Sequence, residues 1–295
     1  MLRPTLYCAP TEGHGSRTDY NMEHLYTTLG NHRRQSVILA VDTSISMNIL
    51  VPGQDKTNLE MAEDVINNLV YDDSISDSIR NITDFALLEF SDDVKVQTDF
   101  IPLSLYKGCH HLEIGGWTCL YKTVITSINM ACKMVERYES LGIASLHPHV
   151  YVITDGRGED IENKAEAKRL CQQYVDSGQI KMDFLYLPGA EDDAKSLSDK
   201  IRCYFTRDGK TGLPAIAEYI TNSIVVMGSA NVGQKVTIAL PDHLATAKAN
   251  VCFDEKGNKV IVEEVTGNDT FFYHDGTMFK AAIPDDISCS DDVIY

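Results

Sequence analysis

The stretch Ser36-Val-Ile-Leu-Ala-Val-Asp-Thr-Ser-Ile-Ser-Met47 constrains this chain more than any other. Five apolar residues, Val37 to Val41, are followed at once by Asp42, Ser44 and Ser46. An apolar run this short, closed by polar residues, reads as a buried parallel strand entering a loop. In an open α/β sheet, ligands bind beyond the carboxyl ends of strands at a switch point. Asp42, Ser44 and Ser46 lie at i, i+2 and i+4. One carboxylate and two hydroxyls offer only hard oxygen donors, which suit Mg²⁺ or Ca²⁺ and not zinc. Taken alone, the pentamer is also ordinary turn chemistry.

Two later pieces add to it. Gly115-Gly116-Trp117-Thr118 opens a long helical stretch, and His149-Val-Tyr-Val-Ile-Thr-Asp155-Gly156 is a second apolar strand ending on an aspartate and a glycine. With all three in order, the chain resembles the von Willebrand factor A family over roughly residues 34 to 230. That family's metal-ion-dependent adhesion site uses Asp-x-Ser-x-Ser, a distant Thr and a strand-end Thr-Asp-Gly. The matching positions here are Asp42, Ser44, Ser46, Thr118 and Asp155. The resemblance implies that the Ser44 and Ser46 hydroxyls touch the metal. It also implies that Thr118 ligates directly or through water, and that Asp42 and Asp155 act mostly through bound waters. The implied ion is Mg²⁺, with Mn²⁺ or Ca²⁺ as alternatives. Ile45 stands where many relatives carry glycine, which leaves the ligands intact and reshapes the loop.

The chain is long enough, at 295 residues, for one large α/β domain with an appendage. A net charge of −17 argues against nucleic acid or an anionic membrane as partner, and makes a divalent cation a plausible guest. None of the eight cysteines forms a Cys-x-x-Cys pair. Buried thiols in a reducing compartment are expected, hence a cytoplasmic location. Residues 1–20 lack the apolar core of a signal peptide. The apolar window from Ile216 to Met227 contains Glu218 and is too short for a bilayer.

Along the chain, periodicity predicts helices over 56–71, 74–82, 118–141, 161–175, 191–201 and 213–227. Strands are predicted over 85–90, 94–101, 150–154, 180–187 and 203–206, with Ser91-Asp92-Asp93 as a hairpin turn. A short helix is expected over 20–29. This alternation predicts an α/β fold with a doubly wound, Rossmann-like, mostly parallel sheet. One antiparallel edge strand and helices on both faces complete it. After Gly228 the pattern turns to short strands separated by Asp254-Glu-Lys-Gly-Asn258 and His274-Asp-Gly-Thr277, both hairpin signatures. The expected organisation is a leader over 1–34, the A-type domain over 35–230, a β-rich appendage over 233–284 and an acidic tail over 285–295. The Phe85–Phe90 strand, Gly115-Gly116 before Thr118, Ile153-Thr-Asp-Gly156 and the 217–229 helix resemble a narrower subgroup. This is the TerY-like proteins of tellurite-resistance and stress operons. That resemblance implies a bacterial stress-response or signalling assembly, with a kinase or phosphatase of the same operon as partner.

An incompletely coordinated Mg²⁺ seeks one more oxygen, and a partner's carboxylate supplies it. The first expectation is therefore a non-enzymatic adaptor that captures an acidic side chain of another protein. A metal-assisted hydrolase or phosphoesterase is the alternative, and it needs a base or nucleophile near the ion. His147 and His149 belong to the opposite strand end, and the adjacent His110 and His111 point apart. A fold whose metal site is inactive is a third reading. Trp117, the sole tryptophan, anchors a partner at the rim or covers the sheet end as core. Asp92, Asp93, Glu159 and Asp160 read as solvated turn and helix-start charges.

Overall fold

The computed structural model describes residues 33–108, 111–188, 190, 193–206, 209–246, 251–254, 256–268, 271–274 and 277–280. β1 (Gln35–Asp42) is buried at every position, as its unbroken apolar run requires. It pairs in parallel with β2 (Thr83–Phe90) on one side and β5 (His149–Thr154) on the other. β3 (Val94–Pro102) lies antiparallel on β2. Beyond β5 come β6 (Lys181–Tyr186) and β7 (Arg202–Thr206), both parallel. β9 (Leu244–Thr246) closes the far edge antiparallel to β7. Among the described residues the main sheet therefore has the order β3-β2-β1-β5-β6-β7-β9. The chain leaves β1 towards β2 and later returns to β5 on the opposite side. That reversal puts the switch point at the carboxyl ends of β1 and β5.

Five α-helices are described: α1 (Asn58–Tyr71), α2 (Asp77–Ile82), α3 (Leu120–Ser140), α4 (Ile161–Leu170) and α5 (Gly209–Ser229). α1 starts on a capping box: the Thr57 hydroxyl accepts from Glu60 N–H, and the Glu60 carboxylate accepts from Thr57 N–H. Val37, Leu39 and Val41 share one core with Leu59, Ala62, Val65 and Ile66 of α1 and with Ile216, Ile220 and Ile224 of α5. Ile38 and Ala40 point to the other face and are equally buried. Each large apolar side chain so buried contributes about 1.5–3 kcal/mol. α3 also contacts β1, and α4 packs on α3.

The sheet carries a second antiparallel edge strand, β9, which comes from the segment expected to form the appendage. The rest of that segment is β-rich. β8 (Lys235–Ala239), β10 (Val251–Phe253) and β11 (Lys259–Glu264) make an antiparallel sheet of order β10-β11-β8. β13 (Phe271–His274) and β14 (Thr277–Lys280) form a hairpin. In the β10–β11 turn, Asp254 accepts from the N–H groups of Lys256 and Asn258, and Gly257 takes φ +82°, which favours glycine. β12 (Gly267–Asn268) pairs with β4 (Ser145–Leu146), just before β5 begins.

The helix expected over 191–201 is absent: among its described residues only Ala194–Ser196 makes a 3₁₀ turn. Its polar groups are engaged elsewhere. Asp193 accepts from Gly158 N–H, the Ala194 N–H donates to the Tyr186 hydroxyl, and the Ser198 hydroxyl bonds Asp176 and accepts from Lys200 N–H. The 161–175 helix ends in a π turn at Cys171–Val175. Residues 1–32 of the expected leader, with its 20–29 helix and Cys8, and also Cys109, His110, Cys289 and the acidic tail lie outside the described residues. Among the described residues no helix is long and apolar enough to cross a membrane.

Towards the amino ends of the strands lies a buried charged network. Asp183 of β6, with no exposed surface, accepts from Arg202 Nε at 2.5 Å and Nη2 at 2.8 Å. His149 Nε2 and the Tyr219 hydroxyl each lie 2.8 Å from Asp183 Oδ2. Glu263 of β11 reaches this network through Lys181 at 2.9 Å and through Arg202. Thus His149 is a structural residue at the strand end remote from the candidate site.

Candidate metal centre

The candidate ligands lie at strand ends and in the segments that follow or face them: Asp42 ends β1, Ser44 and Ser46 come just after it, Asp155 follows β5, and Thr118 lies just before α3. Parallel register sets Val41 beside Ile153, so Asp42 falls next to Thr154. The Thr154 hydroxyl donates to Asp42 Oδ2 at 2.6 Å, and Ser44 N–H donates to Asp42 Oδ1 at 2.9 Å. The Ser44 and Ser46 hydroxyls lie 3.0 Å apart, and Ser46 Oγ donates to Asp155 Oδ1 at 2.8 Å. The loops after β1 and β5 are therefore joined through the predicted side chains.

Thr118 completes the group. A Cβ placed on Gly156 would lie 3.2 Å from Thr118 Oγ1 and 3.7 Å from Asp42 Oδ2. Glycine at 156 thus leaves open a space bounded by the third loop's hydroxyl and the first loop's carboxylate. Asp42, Ser44 and Thr118 are buried, while Ser46 and Asp155 are half-buried, so the group opens outwards on their side.

The donor set fits a hard divalent cation. Neighbouring oxygens around an octahedral Mg²⁺ with 2.0–2.1 Å bonds are about 2.9 Å apart, close to the 3.0 Å between the Ser44 and Ser46 hydroxyls. Burial pushes the Asp42 carboxyl up to about 6, against hydrogen bonds from Ser44 and Thr154 that favour its charge. Burial likewise raises Asp155, opposed by Ser46. Two carboxylates held in a desolvated pocket by neutral donors make a place where a cation is favoured. Among the described residues no three His, Cys, Asp or Glu side chains converge on a possible metal position, so the hydroxyls are essential to the set.

Asp92 and Glu159 are exposed and Asp160 is half-buried, as expected of turn and helix-start charges, and all three also bind backbone N–H groups. Asp92 accepts from the N–H groups of Gly116 at 2.9 Å and Trp117 at 3.0 Å. Those bonds, led by Trp117, hold its carboxyl below the usual range. Glu159 accepts from Thr118 N–H at 3.0 Å. Asp160 accepts from Tyr121 N–H at 3.1 Å and Lys122 N–H at 2.7 Å. Cys119, at the N-cap of α3, has no side-chain cap bond, so Asp160 caps the helix from another loop. Backbone bonds from Gly115 N–H to Thr43 O and from Ile45 N–H to Gly116 O tie the same loop to the first one. Asp93 is also a surface charge, paired with Lys122. The sequence contained these aspartates and glutamates but no sign of which N–H groups they meet.

Because Asp160 caps α3, whose first turn begins two residues after Thr118, Asp160→Ala is expected to cost about 1 kcal/mol of stability. It should also weaken divalent-ion binding several-fold. Urea unfolding and calorimetric Mg²⁺ titration measure the two effects, and an unchanged affinity would remove Asp160 from the support of Thr118.

Trp117 is 68% exposed, so it is not core. His111 is exposed and pairs with Glu63.

No protein-family model matches the sequence, and no curated protein matches it. The fold is similar to solved structures at low identity. One is proximal thread matrix protein 1 from the mussel byssus, at 15% identity over 66% of this chain and 47% of that one, with a TM-score of 0.47. A further structure of the mussel protein is described with a zinc-occupied MIDAS motif. Another is the ArnB paralog VWA2 from Sulfolobus acidocaldarius, at 15% over 82% of this chain and 59% of that one, TM-score 0.43. The PilB minor pilin from Streptococcus sanguinis matches at 12% over 65% and 61%, TM-score 0.49. In each of these the match spans less than two thirds of the other chain's length.

Proposed function

We propose that this chain is a divalent-cation-dependent protein-binding module of the von Willebrand factor A type, which captures a partner's carboxylate. The observation that most supports it is the Ser46–Asp155 hydrogen bond, joining two loops within one oxygen cluster that Thr118 of a third loop borders. The hydroxyls of Ser44, Ser46 and Thr118 would hold the ion, with Asp42 and Asp155 behind its waters. When bound, Mg²⁺, Mn²⁺ or Ca²⁺ supplies Lewis acidity toward one foreign oxygen. The chain's own part is to fix those oxygens beforehand. The Thr154 hydroxyl orients Asp42, Ser46 orients Asp155, and Asp92, Glu159 and Asp160 hold the Thr118 loop.

The proposed organisation keeps an A-type domain over 35–230, with the following strands as its attachment. Cys119 and Cys171 are buried free thiols, which suit a reducing compartment, and the cytoplasm is the proposed location. A bacterial stress-response or signalling assembly, with a kinase or phosphatase of the same operon as partner, rests on the TerY-like resemblance.

Calorimetric titration with Mg²⁺, Mn²⁺ and Ca²⁺ tests the metal. One site is expected in the native chain and none in Ser44→Ala or Asp155→Ala, with both variants still folding cooperatively. Undiminished binding in both variants would refute the assignment. Affinity capture with and without EDTA, read by mass spectrometry, then identifies a partner that needs the ion.

A further inference from the structure

We propose that the loops around the candidate metal centre form a docking surface for a partner protein segment in which one carboxylate is flanked by bulky apolar side chains. The proposal rests on the metal-dependent reading above and names the chemistry of the partner at that same site.

Twelve large apolar residues are exposed among the described residues, and six of them belong to this end of the sheet: Ile45, Ile49, Leu50, Ile114, Trp117 and Ile161. Each is fastened to the site loops. Ile45 lies between Ser44 and Ser46, and its N–H donates to Gly116 O. Ile49 N–H donates to Ser46 O, and Leu50 follows it. Ile114 precedes Gly115, which donates to Thr43 O, and Trp117 precedes Thr118. Ile161 N–H donates to Glu159 O, while Glu159 N–H donates to Thr118 O. Ile45 and Trp117 are each 68% exposed. Side chains of this kind gathered at one place on a water-facing surface mark an interaction site.

Charge selects the occupant. Asp92, Glu159 and Asp160 direct their oxygens at backbone N–H groups between Gly116 and Lys122. Exposed isoleucines, Leu50 and Trp117 thus stand beside the candidate centre, together with the charged side chains of Glu113 and Arg157. One carboxylate complements that centre. A run of several acidic residues leaves the apolar side chains uncovered and is repelled by a chain of net charge −17. Apolar neighbours of the single carboxylate are what the isoleucines and Trp117 cover.

The test uses the full chain in saturating Mg²⁺ and two synthetic capped peptides. One carries an aspartate between leucines, and the other an aspartate between glycines. Trp117 is the only tryptophan, so its emission reports occupancy, and calorimetry checks it. The leucine-flanked peptide is expected to bind at least about ten-fold tighter, as two covered side chains allow. The ratio should collapse towards one in Ile114→Ser and in Ile161→Ser, whose Mg²⁺ affinity stays native. Equal binding of the two peptides overturns the proposal, as does a ratio that survives both substitutions. Mg²⁺ binding with neither peptide bound overturns the docking surface and leaves the metal site standing. No Mg²⁺ binding at all removes both. Sedimentation showing a Mg²⁺-dependent dimer that Ile114→Ser abolishes would identify a second copy as occupant, against a separate partner.

Discussion

Replacing Asp183 by alanine is expected to remove about 3–5 kcal/mol of stability, because it strands buried cationic and polar groups without their acceptor. Arg202 donates to Asp183 through two nitrogens, and His149 and Tyr219 converge on the same carboxylate. Domains of this kind hold about 5–15 kcal/mol in total. The loss would show as a fall of about 1–2 M in the urea midpoint. The same substitution in an Arg202→Ala background should cost much less, since the two act as one unit. Equal costs in both backgrounds would mean the network is only a set of independent contacts.

The network also sets an acid limit. Burial alone pushes Asp183 up, but Arg202 and His149 beside it hold its carboxyl below the usual range. Burial lowers His149 from 6.5 to about 4, with Asp183 opposing the shift. His149 is thus neutral when folded and takes its proton more readily when unfolded. Its contribution is fully present above pH 6.5 and is lost as pH falls towards 4, amounting to about 3 kcal/mol.

Asp42→Asn is expected to act in opposite directions on two measurements. It should abolish Mg²⁺ binding, because it removes the carboxylate at the base of the oxygen cluster. In EDTA it should raise stability at pH 7 by about 1–3 kcal/mol, since a buried charge with only neutral donors is eliminated. Asp42 is raised from 3.8 to about 6, so its charge is a burden above pH 6 that is relieved as pH falls to 3.8. That relief runs opposite to the His149 loss over nearly the same pH range. The metal-free native chain should therefore lose little from these two groups between pH 6 and 4, whereas Asp42→Asn should lose stability steeply there. Thermal melts at pH 7, 6, 5 and 4, with and without Mg²⁺, read all of this. A variant that is less stable than the native chain in EDTA would contradict the stored charge at Asp42. In the native chain, Mg²⁺ at about a hundred times its dissociation constant should add about 2.7 kcal/mol.

Local pattern carried much of the architecture because β1, β2 and β5 are covered on both faces. A strand in that position is written as an unbroken apolar run, and Val37–Val41 can be read as nothing else once Asp42 ends it. α1 was legible for the same kind of reason: its apolar positions repeat with the helix, and Thr57 with Glu60 marks its start. The segment 191–201 misled because helical spacing there competes with polar groups on other elements, and periodicity does not register Tyr186 or Asp176 as partners. β9 was missed because three residues are too few to show a period, and its pairing with β7 is long-range.

By itself the sequence singled out the candidate donors: hard oxygens at Asp42, Ser44, Ser46, Thr118 and Asp155, each next to a strand end or a helix start. It did so because donor chemistry and strand burial are properties of short stretches. Only the tertiary structure decided that the oxygens of Ser46 and Asp155 meet at 2.8 Å, that Asp92, Glu159 and Asp160 grip the Thr118 loop, and that Asp183 gathers Arg202, His149 and Tyr219. Those contacts join residues far apart in the chain, and the placement of loops by the assembled sheet and helices, which no short stretch carries, is what sets their distances.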